Sequence, residues 1–223
     1  MCSRRQSAEV TSDATGGGEE AARPSGAIDN GRVLSDVLAY YKDLVTTGLP
    51  VAMCWKVAQP LGAALTLEDV ASRLGGDPDD LEVLDLSEAY EVGPNDGWVL
   101  HLDQAGPAVT IFENNGFQGT RPEVLRALSI DAKVHSAWWD VDAMTRFSFA
   151  TQGELITAME AGWPRAGVRP DALDAELADL YDAMRTPGLR VAGMLAAIEL
   201  RTGIRLDRDW FDRPHEAIVI ART

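Results

Sequence analysis

Residues 133–160, which read KVHSAWWDVDAMTRFSFATQGELITAME, decide the fold. Across 133–141 and again across 145–151, large apolar residues alternate with small or polar ones, the period-2 pattern of strands with one buried face. Gln152-Gly153 predicts a tight hairpin turn into a third run at 154–159, because glycine tolerates the positive φ that such a turn requires. The stretch therefore predicts an antiparallel β-meander whose inner face is the centre of the core.

The rest of the chain supplies elements that extend or cover this sheet. Apolar residues at helical spacing predict helices at 30–47, 67–74 and 121–129 and two more between 171 and 203, the first of which begins at Asp171. Alternating patterns predict strands at 51–57, 98–102, 109–112 and 216–221. Residues 77–92 are read as a short helix, a loop and then a strand near 89–92, in a pattern that is ambiguous from Val83 onwards. Together they predict an α+β fold with an antiparallel sheet of about five to seven strands, the helices of 171–203 on one face and the N-terminal helix near an edge.

The N-terminal segment differs in composition from the rest of the chain. Residues 1–29 are rich in Ser, Thr, Gly, Glu and Ala and hold few side chains that a core could bury, so we expect a disordered tail. Residues 30–223 are then expected to form a single α+β domain, in keeping with the length of the chain.

Charge and composition exclude several classes of function. The formal net charge is −15, from 35 acidic and 20 basic residues, which argues against nucleic-acid binding because that binding depends on basic side chains that release counterions. No stretch approaches the roughly 20 apolar residues of a membrane span, so we expect no membrane association and a cytoplasmic location. Of the two cysteines, Cys2 lies in the expected tail and Cys54 in an expected strand, where it is read as a small buried hydrophobe.

Three segments carry a resemblance to a known family: NGFQGTRPEVLRALS at 115–129, SAWWDVDAMTRFSFATQGELITAME at 136–160 and TGIRLDRDWFD at 202–212. Together they resemble an uncharacterised domain family, found mainly in actinobacteria, over roughly residues 50–213. The chain departs from the family pattern at Phe117, where tryptophan is expected. The resemblance supports the boundaries of the fold and implies no activity.

Candidate catalytic residues are few. His101 and His135 both fall in expected strands on faces that could coincide, so a site that also includes Asp140 or Asp142 is one reading, and separately satisfied histidines are the other. Asp140 and Asp142 lie two residues apart at a strand end, where repulsion between carboxylates could raise one pKa for acid–base work; turn chemistry with an ion pair to Arg146 is the alternative. The chain lacks a P-loop, a dinucleotide fingerprint and a G-x-S-x-G turn, so no metal and no cofactor is predicted.

Aromatic residues provide the candidate binding site. Adjacent Trp138 and Trp139 must point to opposite faces of one strand, so one indole is expected to be partly exposed unless both faces are covered. The loop that contains Asn114, Asn115 and Phe117 precedes a helix whose N-terminus could receive an anion.

Two functions from different classes follow. The first is a non-enzymatic binding or interaction protein, regulatory or immunity-like, that holds a protein partner or a small apolar ligand with its aromatic sheet face and acidic surface. The second is a small-molecule enzyme of specialised metabolism with an aromatic-lined pocket.

Overall fold

The computed structural model describes residues 30–160 and 164–221, apart from the side chains of Asn30 and 93–96. The expected tail at 1–29 lies outside these residues. The helices are α1 (Asn30–Thr47), α2 (Leu67–Leu74), α3 (Leu86–Asp96), α4 (Pro122–Leu128), α5 (Tyr181–Arg185) and α6 (Arg190–Thr202). The strands are β1 (Met53–Pro60), β2 (Glu82–Leu84), β3 (Trp98–Ala105), β4 (Ala108–Asn114), β5 (Ala132–Trp139), β6 (Thr145–Thr151), β7 (Glu154–Glu160) and β8 (His215–Ile220).

The strands form one antiparallel sheet in the order β2-β8-β3-β4-β1-β5-β6-β7, so the α+β prediction is confirmed. The sheet has eight strands, not five to seven. The ambiguous segment explains part of this difference: Glu82–Leu84 adds an edge strand beside β8, and the expected strand near 89–92 is part of helix α3. A three-residue edge strand has too few positions to display a period-2 pattern.

The centre of the sheet is β1 rather than the meander. β1 pairs with β4 on one side and β5 on the other, and its residues 53–58 are all buried. The meander β5-β6-β7 is present with the expected Gln152-Gly153 turn, in which φ is 53° and 77°, but it forms one end of the sheet. β5 and β6 are also largely buried on both faces, so their alternation in sequence is one of side-chain size and polarity and does not mark an exposed face.

Helices cover both faces of the sheet. On β1, Trp55 and Val57 point to the face covered by α1 and α6, which we call the α6 face, and Ala58 points to the face covered by α2 and α4, the α4 face. The N-terminal helix was expected near an edge, but α1 packs against α6 because its apolar stripe, including Tyr41 and Leu44, joins the same core cluster. Among the described residues, no helix is both long enough and apolar enough to cross a membrane.

The helix expected from Asp171 does not form as such. Residues 171–177 form turns, 178–180 a 3₁₀ helix and 181–185 the short α5. Bonds from the backbone N–H of one residue to the carbonyl three residues earlier, such as Ala172 to Arg169, keep the chain in successive turns. These turns still bury leucines at 173, 177 and 180, the same spacing that predicted a helix.

Close packing between β3 and β8 depends on one glycine. A Cβ atom on Gly97 would collide with the carbonyl group of Ile220, so we expect Gly97→Ala to push β8 away from β3 and lower the free energy of unfolding by about 1–3 kcal/mol. Gly62→Ala is the matched control, because a Cβ there meets no atom within 4 Å. Urea unfolding measures both, and an equal effect of the two substitutions would contradict this account.

Candidate binding site

The two adjacent tryptophans face opposite sides of β5, as predicted, and both faces are covered. The indole N–H of Trp138 donates to the Gly116 carbonyl at 2.9 Å on the α4 face, and that of Trp139 donates to the Pro50 carbonyl at 3.1 Å. Trp138 is half-buried and Trp139 is buried. Each ring is therefore held in position by a loop that passes over its end of the sheet.

On the α4 face, the loop after β4 folds back over the side chain of Glu113, near the end of that strand. Glu113 accepts the backbone N–H groups of Gln118 and Gly119 at 2.9 Å each. The sequence analysis suggested that the N-terminus of the following helix could bind an anion. The Glu113 carboxylate lies close to that position, at the 3₁₀ turn that precedes α4. Asn114 and Asn115 lie exposed on the same loop and provide no contact to this centre.

Phe117, at the tip of that loop, is 51% exposed. Its ring packs edge-on against Trp98, with the ring centroids 5.2 Å apart. Two of the predicted site residues therefore meet at this loop. Phe117 belongs to the loop and packs on Trp98, and Trp138 bonds to the Gly116 carbonyl of the same loop. Trp139 lies on the other face, away from this loop.

A buried lysine lies beneath the same loop, and the sequence analysis did not single it out. The side chain of Lys56 is 0% exposed, and its Nζ is 4.0 Å from Oε2 of Glu113. Nζ has no hydrogen-bond partner among the described residues. Gly119 lies directly over it, where a Cβ atom would overlap the end of the lysine side chain. The available signal was the position of this lysine in the otherwise apolar run VAMCWKVA of a strand buried on both faces.

Cys54, the neighbour of Lys56 on the α4 face, is also buried, with its Sγ 3.4 Å from Oγ of Ser136. Burial raises the pKa of the Cys54 thiol, although the nearby Lys56 opposes the shift. A thiol in this setting stays protonated at neutral pH and is a poor nucleophile. The environment fits the small buried hydrophobe that the sequence predicted.

The two candidate histidines share the α6 face but not a site. His101 is on β3 and His135 on β5, with β4 and β1 between them, so about 14 Å separates them across the sheet. His135 stacks on Phe149 and accepts a hydrogen bond from Arg201 at 2.8 Å. Both ring nitrogens of His101 are buried without a hydrogen-bond partner among the described residues.

Burial keeps both imidazoles neutral. It lowers the pKa of His101 to about 4, an effect that His215 reinforces and Asp85 opposes. It lowers the pKa of His135 to about 3, with a further contribution from Arg201. A histidine with so low a pKa is almost wholly unprotonated at neutral pH and so cannot serve there as a general acid.

The remaining catalytic candidates lie near the β5–β6 turn. Oδ1 of Asp140 accepts the backbone N–H groups of Asp142 at 3.0 Å and Met144 at 2.9 Å, which is turn chemistry. Arg146 lies opposite Trp138 in the strand register, and its Nε is buried without a partner among the described residues. The three side chains do not join either histidine. Across the described residues, no group of three or more His, Cys, Asp or Glu side chains could hold a metal ion.

A cleft of about 390 Å³ opens beside Trp139, between the end of α1, the segment before β1, the β5–β6 turn and the start of α6; we call it the Trp139 cleft. It is lined by Val45, Leu49, Pro50, Val51, Trp139, Asp140, Val141, Ala143, Thr145, Pro187, Gly188, Arg190 and Val191. Because the indole N–H of Trp139 is already bonded to Pro50, this ring offers the cleft only apolar surface.

Comparison with known proteins gives a family and no activity. Residues 62–215 match the model described as Family of unknown function (DUF6461). No curated protein and no solved structure matches the chain.

The Lys56–Glu113 pair generates an asymmetric stability prediction. We expect Glu113→Gln to lower the free energy of unfolding by about 3–5 kcal/mol, because it leaves a buried ammonium group without its counter-charge. Lys56→Met is expected to cost less, since the Glu113 carboxylate keeps its two backbone N–H donors. Urea unfolding of both variants and of the double variant tests this order. A larger loss from Lys56→Met, or strictly additive losses, would refute it.

The unpartnered His101 ring predicts an acid-dependent loss of stability. Since its pKa is about 4 in the fold, below the 6.5 of an unperturbed imidazole, the unfolded chain binds the additional proton between these values. We therefore expect stability to fall as the pH drops from about 6.5 towards 4, by about 3 kcal/mol from this residue. His101→Phe should remove this part of the pH dependence in urea unfolding at pH 7 and 4.5. An unchanged slope would show that other groups are responsible.

Proposed function

Since the chain belongs to the family of unknown function that it matches, and this membership assigns no activity, we propose a function from the geometry: a non-enzymatic protein that binds a small apolar ligand in the Trp139 cleft. The observation that carries the proposal is the cleft itself. Its volume of about 390 Å³ falls within the range of small-molecule sites, and most of its lining side chains are apolar.

Exposed apolar residues at the cleft add support. Val51 is 78% exposed and Val141 is 68% exposed, and both line the cleft. Single exposed apolar side chains are common, but two that flank a concave apolar site provide surface that a ligand can remove from water. Burying each would contribute about 25 cal/mol per Å² of apolar area.

The alternative of a small-molecule enzyme has less support. The candidate catalytic side chains are divided between the two faces of the sheet and the β5–β6 turn, and both candidate histidines are neutral and buried. Nucleophilic and acid–base catalysis both require reacting groups within hydrogen-bond reach of each other or of a substrate. The Trp139 cleft contains one carboxylate, Asp140, whose Oδ1 is engaged by two backbone N–H groups.

A neutral apolar probe tests the proposal. We expect octanamide to shift the Trp139 indole N–H signal in a ¹H–¹⁵N NMR spectrum in a saturable manner, with the signal assigned from Trp139→Phe. Val141→Asp should weaken binding at least about tenfold, because it replaces apolar contact with a charge. Val83→Asp is the matched control, since Val83 is 59% exposed on β2, at the opposite edge of the sheet from the meander.

Two outcomes would contradict the proposal. If octanamide causes no shift, the cleft does not bind a small apolar ligand, and the exposed valines would instead support binding of a protein partner. An equal loss of binding in Val141→Asp and Val83→Asp would place the probe elsewhere.

A further inference from the structure

The Trp139 cleft contains a positively charged residue that forms no ion pair within the described part of the chain. Arg190 lines the cleft, and its Nε is buried without a hydrogen-bond partner among the described residues. Its guanidinium makes one long contact, from Nη2 to the backbone carbonyl of Arg185 at 3.5 Å. Within the described part of the chain, no carboxylate lies within 4.0 Å of it.

Several other arginines in the same half of the chain have a carboxylate partner, although Arg146 shares with Arg190 a buried Nε that has no hydrogen-bond partner among the described residues. Six of them form ion pairs with an aspartate or glutamate: Arg121, Arg165, Arg201, Arg205, Arg208 and Arg213. Acidic residues outnumber basic ones in this protein by 35 to 20, so partners for an arginine are plentiful. Arg190 nevertheless lines an apolar cleft with its Nε buried and unpartnered among the described residues, and a partly desolvated charge without a partner is unfavourable.

Asp140, which is the only carboxylate residue among the described residues that line the cleft, does not fill this role. Oδ1 of Asp140 is held by the backbone N–H groups of the β5–β6 turn, and Asp140 makes no ion pair with Arg190. The start of α6 adds to the positive potential beside Arg190, because its first turn contains no acidic residue and no side chain among the described residues caps it.

We infer that the ligand of the Trp139 cleft is an apolar monocarboxylate, whose carboxylate pairs with Arg190 while its hydrocarbon part contacts Trp139 and the valines. The inference rests on the proposed function and specifies its ligand class. An arginine suits this role because the guanidinium fork matches the two oxygens of a carboxylate. A second carboxylate on the ligand is disfavoured, because Asp140 and the net charge of −15 would repel it.

Matched probes separate this inference from the function on which it rests. Octanoate and octanamide have the same hydrocarbon chain and differ in the charge of the headgroup. We expect the wild-type protein to bind octanoate at least about tenfold more tightly than octanamide in titration calorimetry, because the pairing is a charge-assisted hydrogen bond. Octanedioate should bind more weakly than octanoate.

Arg190→Gln should remove the preference for octanoate, so that octanoate and octanamide bind with equal affinity, and an unfolding transition in urea like that of the wild type shows that the variant is folded. Arg169→Gln is the control, because Arg169 is exposed and does not line the cleft. The preference of the wild type should also decline between 50 and 500 mM salt, since an ion pair at an open cleft is screened.

Each remaining outcome has a defined meaning. Equal binding of octanoate and octanamide by the wild type would overturn the inference and preserve the proposed function. A preference for octanoate that survives in Arg190→Gln would also overturn it, by assigning the charge to another cation. Tighter binding of octylamine than of octanoate would also overturn it, because the ligand headgroup would then pair with the carboxylate of Asp140 and not with Arg190. Failure of octanamide to bind would reject the proposed function itself.

Discussion

Burial of the central strand on both faces is the constraint on which the rest of this structure depends. Because β1 lies between β4 and β5 and helices cover both sides of the sheet, none of its residues from 53 to 58 reaches water. Polar groups on such a strand must be satisfied internally. Lys56 meets it only in part: its Nζ lies 4.0 Å from the Glu113 carboxylate and has no hydrogen-bond partner among the described residues, while the same carboxylate accepts two backbone N–H groups of the loop that follows β4.

The fold class and many elements could be predicted from the sequence. The helix at 67–74 was placed to the residue, because its Thr66–Asp69 capping box and Gly75 are local signals that depend on few neighbours. Thr120 and Glu123 have the same spacing but form no capping box, because Arg121 is the N-cap of α4 and Glu123 pairs with Arg121. The Thr120 hydroxyl instead donates to the Phe117 carbonyl at 2.9 Å, within the 3₁₀ turn Gln118–Thr120 that precedes α4.

The candidate site could be predicted only in part. Trp139 was identified because adjacent tryptophans on a strand must diverge, and Asp140 was identified as part of a carboxylate pair. The other walls of the Trp139 cleft come from residues 45–51 and 187–191, which are far apart in sequence and carry no shared motif. Arg190 is one of many arginines in the sequence, and only the folded chain shows that it lacks the carboxylate partner that several others have.

The Trp139 cleft also connects parts of the chain that are far apart in sequence. Its walls belong to α1 and α6, so they join segments about 140 residues apart along the chain, and they cease to exist when these helices separate. A bound ligand would therefore act as a non-covalent cross-link between the two ends of the fold. At a concentration 100 times its dissociation constant, such a ligand would add about 2.7 kcal/mol to the stability of the folded state. The melting temperature of the protein would then report occupancy of the cleft, which makes an unbiased search for the natural ligand practicable.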